Sequence, residues 1–578
     1  MIEAFTSADV RAAEEPLLAT ERGFAGGLMH RAATALALHV RHLLRERAGG
    51  RGGVAGSTVV GLVGAGNNGG DALHALALLA RHGVRTVAVL VDARAHDGGL
   101  AAFRAAGGRV LRLATSAGRG AGPGATTWLG DALAEAAGAD VVLDGLLGIG
   151  ARGGLRGTAA ELVHLLAEVL GQLEEAGGAQ ARGVGDGRVG CSGAGPASPT
   201  TLRPAVVAVD LPSGVDVDTG AVPGAVLPAD LTVTFGAPKP ALLLPPAAHL
   251  TGRLVVVDLG LAPVLADHRA EPAVRRLRPA DVAGLWPVPG TDAHKYRRGV
   301  VGVVAGTATY PGAAVLTVAG AQGGGCGMVR YVGPDAVRQA VVAAHPEVVT
   351  SHDAGVHVQA WVLGPGLDPG DEEQAGRARA ALFAALDGPG QHGRHERGGH
   401  GKQGRRGEPT HHCPVVVDAG ALGLLPDRVP PHVVLTPHAG ELARLLQGRG
   451  VDVDREDVEA EPLRWAREAH ERTGATVLLK GAVTVVVGPH GAFAQADAPP
   501  WLATAGAGDV LAGVLGALLA GRSDLDAPDD AARLAAAAAC VHGLAADRAN
   551  PGGPVTAGDV ARALPRTVAE LLSGEQEA

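Results

Sequence analysis

Apolar residues recur along this chain at two periods, and the places where one period gives way to the other predict its elements. Compact, largely β-branched runs span Thr58 to Val63, Thr86 to Val91, Val141 to Leu143, Ala205 to Val209, Leu231 to Thr234 and Leu254 to Asp258. Helical spacing occupies intervals between and before them, most clearly from Thr6 to Arg47 and from Leu155 to Leu173. Strands alternating with helices predict an α/β fold with a mostly parallel sheet. The series restarts near Leu277, where Arg278-Pro-Ala-Asp281 reads as a helix cap, Val300 to Ala305 as a new first strand, and Val510 to Leu519 as a late helix. Two α/β domains are expected, over residues 1–270 and 271–578, with the joint between Asp258 and Arg278. Two stretches lose periodicity. Glu174 to Thr201, mostly Gly, Ala and Ser, predicts a disordered insertion, while Gly388 to His412, rich in Gly, His and Arg, predicts a solvated loop whose histidines lack metal-ligand spacing.

Composition narrows the class. At 578 residues, 47% hydrophobic and 19% charged, the chain suits a soluble protein with more than one core. No apolar run reaches ~18 residues and the start, Met1 to Glu15, has no apolar signal core, so neither a membrane nor an export signal is expected. A net charge of −9 argues against a nucleic-acid partner. Cys191, Cys326, Cys413 and Cys540 are too dispersed for a disulfide framework or zinc knuckle, which favours a reducing, cytoplasmic setting. A homo-oligomer is left open. With 89 glycines and only four lysines the chain carries a strong compositional bias. Three of those lysines, Lys239, Lys295 and Lys480, nevertheless sit in glycine- or proline-marked turns and become candidates for work that arginine does poorly.

The densest candidate chemistry is Gly64-Ala-Gly-Asn67-Asn68-Gly69-Gly70-Asp71, between the first strand and a helical pattern from Ala72 to Arg81. Asn67 and Asn68 are two of only three asparagines in the chain. The glycines suggest a turn with φ > 0 that lets backbone approach a ligand, and the free amides of a helix start offer an anion site. A plain βα turn is the simpler alternative. So is the dinucleotide fingerprint, since Gly64, Gly66 and Gly69 fit G-x-G-x-x-G with Asp92 about 20 residues on. Further polar turns follow later strands: Asp144 leads into a glycine loop through Gly154, Asp210 precedes Pro212-Ser213-Gly214, and Phe235 to Pro240 carries Lys239. Asn68, Asp144 and Ser213 with backbone carbonyls would make an oxygen-rich set suited to a hard cation of low charge. Taken singly, Asp144 and Asp210 read equally well as helix caps.

The Asn-Asn-Gly-Gly-Asp core resembles the signature of the NAD(P)H-hydrate epimerase family, which usually has glycine where this chain has Ala72. The resemblance implies that Asn68, Asp144 and Ser213 hold K+. It also implies that Asn67, Asn68, Gly69, Gly70, Asp71, the loop Gly148-Ile149-Gly150-Ala151-Arg152-Gly153-Gly154 and Asp210 contact the damaged nicotinamide nucleotide, with Asp210 placed for catalysis. Lys239 would face phosphate or solvent.

Near the C-terminus, Thr504-Ala-Gly-Ala-Gly508-Asp509 runs into a helix, so helix-start amides could hold an anion beside a carboxylate able to act as general base. The alternative is an N-cap aspartate. Upstream stand His294-Lys295-Tyr296, Thr309 to Ala314, Gly364-Pro-Gly366-Leu367, Asp418 to Leu422, Thr436-Pro-His438-Ala-Gly-Glu441 and Leu479-Lys480-Gly481-Ala482-Val483-Thr484. Thr436 and Pro437 read as a cap and first helical residue.

Their order resembles the ADP-dependent NAD(P)H-hydrate dehydratase family over roughly Leu277 to Leu571. The resemblance implies a ribokinase-like C-terminal domain beside an N-terminal Rossmann-like three-layer sandwich. It places Lys480, Gly481, Ala482, Val483, Thr484 and Gly508 on the adenine nucleotide, and Ala313, Gly366, His438 and Asp509 on the hydrate. Gly420 departs from the family's usual Asp, and Tyr296 from its usual Gly. The implied protein is a bifunctional repair enzyme. One half interconverts R and S hydrates of NADH or NADPH. The other dehydrates the S form with ADP as co-substrate and Mg2+ on its phosphates, Asp509 taking the proton of the ring hydroxyl as that hydroxyl is phosphorylated, phosphate then leaving beside AMP. A sugar or vitamin kinase fused to a nucleotide-binding module, and a dehydrogenase, are the rival readings; neither accounts for Asn67-Asn68.

Overall fold

In a computed structural model, the described residues are 1–21, 23–48, 54–113, 127–151, 153–182, 203–368, 370–386, 413–522 and 530–574. The chain divides into two compact units, Glu3–Ala273 and Val274–Ala578, the latter joined by Met1–Ile2. Among the described residues no helix is long and apolar enough to cross a membrane.

The first unit is built on a seven-stranded sheet, parallel throughout. Thr58–Val63 lies inside it, with Arg85–Leu90 and then Arg109–Arg112 on one side, and Val141–Gly145, Ala205–Val209, Leu231–Phe235 and Arg253–Val257 on the other. The chain reverses direction across the sheet between Thr58–Val63 and Val141–Gly145. That switch point opens a crevice at the strands' carboxyl ends, where ligands of such sheets bind. Both faces of the sheet are covered. Leu36, Leu73, Leu76 and Phe103 belong to one apolar cluster and Leu162, Val163 and Leu166 to another. This accounts for strands that read as unbroken apolar runs.

Several boundaries differ from the sequence reading. The helix after the first strand is Asn67–Ala80, so the two asparagines lie inside its first turn and not in a preceding loop. Asp144 falls within Val141–Gly145 and not beyond it. Residues Thr6 to Arg47 form two helices, Ser7–Thr20 and Leu28–Arg47. The strand Arg109–Arg112 and the helices Asp97–Ala105 and Leu129–Ala137 were not foreseen, being short. The helix Gly157–Arg182 runs past Glu174, which overturns disorder for the first residues of that tract. The rest of the tract, with Cys191, and the whole Gly388 to His412 stretch lie outside the described residues, as does Arg152.

In the second unit an 11-stranded sheet carries Val300–Val304 at its own reversal. Met328–Val332 pairs on one side and Ala360–Leu363 on the other, all parallel. Val415–Val417, Val433–Leu435 and Thr476–Leu479 continue in parallel, the hairpin Thr484–Gly488 and Gly491–Gln495 follows antiparallel, and Val274–Arg276 pairs in parallel beyond it. The helix Ala507–Gly521 is buried along almost its whole length and crosses Pro311–Gly323 at close range. A Cβ on Gly513 would lie 2.1 Å from the Thr317 carbonyl oxygen, and one on Gly320 2.2 Å from that of Val510. Glycine lets the two backbones touch, and the contact fixes where the helix, and so Asp509, begins.

Candidate active sites

The first site lies in the crevice of the seven-stranded sheet, a cavity of about 930 Å³. Its floor is the start of Asn67–Ala80, capped by Gly66 in an extended conformation with φ −90°. None of Gly64, Gly66, Gly69 and Gly70 has positive φ, contrary to the turn inferred from sequence. Close packing explains Gly64, Gly69 and Gly70 better, while Gly66 has open space around it. A Cβ on Gly64 would stand 1.9 Å from the Leu146 carbonyl oxygen, and one on Gly69 2.1 Å from that of Gly64. Glycine here lets strand, helix start and following loop nest together. Asn67, Asn68 and Asp71 line the cavity with Gly148, Ile149, Gly150, Ala151, Gly154 and Asp210. Gly69 and Gly70 face protein instead, the latter beneath the His96 ring. Gly153 takes φ +76°, a turn position that favours glycine.

Asn68 and Ser213 meet at Leu147, and Asp144 joins them through Ser213. Asn68 Nδ2 donates to the Leu147 carbonyl oxygen at 2.8 Å, and Ser213 Oγ accepts from the Leu147 amide at 2.9 Å. Asp144 is fully buried and accepts from the Ser213 amide at 2.8 Å. Among the described residues it has no ion-pair partner, and burial pushes its carboxyl above the usual range against the bonds from Ser213. Neither Asp144 nor Asp210 caps a helix.

Asp210 holds φ +69°, an unusual conformation for a residue with a side chain, and accepts from Thr234 Oγ1 at 3.0 Å and the Phe235 amide at 3.2 Å. Lys239 ion-pairs with it. Lys239 is only 1% exposed and also donates to Thr234 Oγ1 and the Phe235 carbonyl. Its ammonium is shut off from solvent, contrary to one of the two expectations for it, and is turned to Asp210; a buried ammonium needs such a carboxylate. Glu14, from the first helix, lines the same cavity, and burial raises its carboxyl as well.

The second site gathers around Lys480, just past Thr476–Leu479. Its Nζ stands 2.7 Å from Asp418 Oδ1 and 3.8 Å from Glu441 Oε2. Burial alone would lower the Lys480 pKa, but Asp418, Glu441 and Asp509 together hold it above the usual value. A Cβ on Gly508 would lie 3.3 Å from the same ammonium, so Lys480 reaches the start of Ala507–Gly521. Gly506, at φ +84°, caps that helix without a side-chain bond, and Asp509 is its third residue, not a cap. Burial, then the charge of Asp418, pushes the Asp509 carboxyl up to about 7, against the pull of Lys480.

His438, and not Thr436, caps the helix Ala439–Gln447: its Nδ1 accepts from the Gly440 amide at 3.1 Å, and Glu441 completes the box. Burial lowers the His438 pKa, which suits this acceptor role. Gly366, at φ +62°, packs against Ala313, where a Cβ would come within 2.4 Å of the alanine methyl. Gly481 and Ala482 are exposed in the turn into Thr484–Gly488, and Val483 is buried beneath it. A Cβ on Gly420 would lie 2.3 Å from the Leu367 carbonyl oxygen, so this backbone has no room for the family's aspartate. Tyr296 is exposed with the Lys295 ammonium 5.2 Å from its ring centroid.

Sequence reasoning gave no role to Glu14, Asp418 or Glu441. Asp418 directly follows Val415–Val417, the same strand-then-carboxylate pattern that singled out Asp210, and could have been found by it.

A family profile described as "YjeF-related protein N-terminus" matches residues 25–241, and one described as "NAD(P)H-hydrate dehydratase" matches 301–387 and 407–566. The bifunctional NAD(P)H-hydrate repair enzyme of Mycobacterium tuberculosis (strain CDC 1551 / Oshkosh) is 39% identical over 522 residues, 88% of each chain. That of Mycobacterium leprae is 38% identical over 89% of each. An NAD(P)H-hydrate epimerase from Microbacterium testaceum is 39% identical over 47% of this chain and 84% of its own. The crevice with its paired asparagines and the Lys480–Asp509 cluster thus lie within the two matched segments, and this chain belongs to the family of bifunctional NAD(P)H-hydrate repair enzymes.

Proposed function

We propose that the first unit interconverts the R and S hydrates of NADH and NADPH and that the second dehydrates the S form with ADP, giving AMP and phosphate. One observation carries the reading: each unit holds its own cluster of buried and half-buried carboxylates beside a helix start packed through glycine. In the first, Asn67, Asn68, Asp71, Asp210 and the loop from Gly148 would receive the nicotinamide nucleotide. Asp210, oriented by Lys239, is the candidate catalytic group. Asn68, Asp144 and Ser213 would hold K+. They fit it, because Asp144 is a fully buried carboxylate with two amide donors and no cation partner among the described residues. A bound potassium would supply that charge, and one carboxylate matches its single charge.

In the second unit, amides at the start of Ala507–Gly521 and the Lys480 ammonium would hold nucleotide phosphate, with Gly481 to Thr484 beside the adenosine. Asp509, raised to near neutrality, would take the proton from the ring hydroxyl as it is phosphorylated. Among the described residues no group of three or more His, Cys, Asp or Glu can hold a metal, so Mg2+ would ride chiefly on the nucleotide's own phosphates. The free thiols Cys326, Cys413 and Cys540 fit a reducing, cytoplasmic setting.

The test is incubation of mixed hydrate epimers with and without ADP. NADH should form only with ADP and should consume both epimers. Consumption of the S form alone would remove the epimerase, and a stable phosphorylated product would make the second unit a kinase.

A further inference from the structure

Four carboxylates, Glu14, Asp71, Asp92 and Asp210, and one lysine, Lys239, line the cavity of the first unit. The lysine is committed to Asp210, Thr234 and Phe235. Asp71 differs from its neighbours. It is 9% exposed and lies on the cavity wall, and its Oδ1 is buried without a hydrogen-bond partner. An ionised carboxylate in that position would give up water and receive no donor in exchange, so the neutral acid is the favoured form. Burial raises its pKa well above the usual range; Asp210 and Glu14 add to the rise, and Lys239 opposes it. A protonated carboxyl with a free oxygen on a cavity wall is a proton donor awaiting an acceptor.

Resting on the epimerase reading above, we propose that Asp71 is the general acid of this cavity and protonates the hydroxyl of the bound hydrate. The carbon–oxygen bond then breaks with its electron pair going to oxygen, and the hydroxyl and the Asp71 proton leave as one water. The ring is left with a positive charge opposite the carboxylates. Return of water to the other face forms the new carbon–oxygen bond and releases one proton, which restores Asp71. Atoms and charge balance without an oxidant or a second substrate.

Other charges bear on this acid. Arg11 and Glu14 come from the first helix, Asp92 from beyond the second strand and Arg156 from the glycine loop, all on the same cavity. His96 packs over Gly70, next to Asp71 in the chain, and His74 on the same helix stays neutral, burial and then His96 pushing its pKa down to about 4.

The test uses the full chain with pure R hydrate, and ADP-dependent dehydration of pure S hydrate in the same preparation reports the intact second unit. Asp71→Asn keeps size and loses the proton, so kcat for epimerisation should fall by ~10²- to 10⁴-fold, with KM changed by less than about threefold. Wild-type kcat should fall as pH rises through the pKa of the acid, and the variant should lose that limb. Should Asp71→Asn prevent the first unit from folding, the wild-type profile alone decides, and a kcat that climbs steadily to pH ~9 overturns the proposal. So does an asparagine variant with near-normal kcat, whether or not KM rises, because that residue would only bind. A wild-type chain that leaves R hydrate unchanged defeats the epimerase reading itself, and is told apart by involving no substitution.

Discussion

The two units each set an aspartate near the start of a helix behind a glycine-rich segment, and their surroundings differ in one respect. Asp71 is the fifth residue of Asn67–Ala80 and Asp509 the third of Ala507–Gly521. Burial raises both. Near Asp71 the lysine is tied to another carboxylate, and an oxygen is left bare. Near Asp509 the lysine reaches the helix start itself and pulls against the burial that raises the carboxyl to about 7. On the roles proposed above, the same local arrangement would serve as a proton donor in one unit and an acceptor in the other. What decides is where a residue distant in sequence sends its ammonium.

The most damaging change to this contrast is Asp509→Asn. Loss of a positioned base should cut ADP-dependent dehydration by ~10²- to 10⁴-fold while epimerisation continues. Given pure R hydrate, the variant should accumulate both epimers and almost no NADH; NADH formation at the wild-type rate would remove Asp509 from the chemistry. The pH profiles should oppose each other. A base works deprotonated, so wild-type dehydration should rise with pH through about 7, whereas epimerisation falls as its acid loses the proton.

Asp144→Ala comes next. Epimerisation should drop at least roughly tenfold, the scale on which groups supporting a metal act, and its response to potassium should flatten. Dehydration of S hydrate should not change; unaltered epimerisation at every potassium concentration would return Asp144 to a purely structural role. Asp418→Asn should do less. Removing the like charge that weighs most on Asp509 should move the dehydration profile toward acid by roughly one pH unit, and a shift toward alkali would show that Asp418 acts mainly through Lys480. The mildest intervention is cutting the chain into residues 1–273 and 274–578. Each piece should keep its activity within about threefold if the units fold alone; insolubility of both pieces beside a soluble full chain would count against that.

Much of this was legible because period and composition are local. Six strands of the first sheet stood out as apolar runs, and paired asparagines in a chain that nearly lacks them marked the crevice. Two things were not legible. The glycines of Gly64 to Gly70 signalled backbone freedom, yet Gly64 and Gly69 serve close packing, Gly64 against Leu146 and so through a contact about 80 residues away. The partners of Lys239 and Lys480 were hidden for the same reason: Asp210 and Asp418 precede them by 29 and 62 residues, and no periodicity links an ammonium to a carboxylate on another strand.

The scarcity of lysine has a practical side for anyone labelling this protein. Of the four lysines, Lys239 is sealed and Lys480 is about one-fifth exposed, while Lys295 is open. A mild amine-directed reagent should therefore spare Lys239 in the folded chain and tag Lys295 readily. Protection of Lys480 by added nucleotide, read by peptide mass spectrometry, would then serve as a direct footprint of occupancy, with Lys295 as the internal standard.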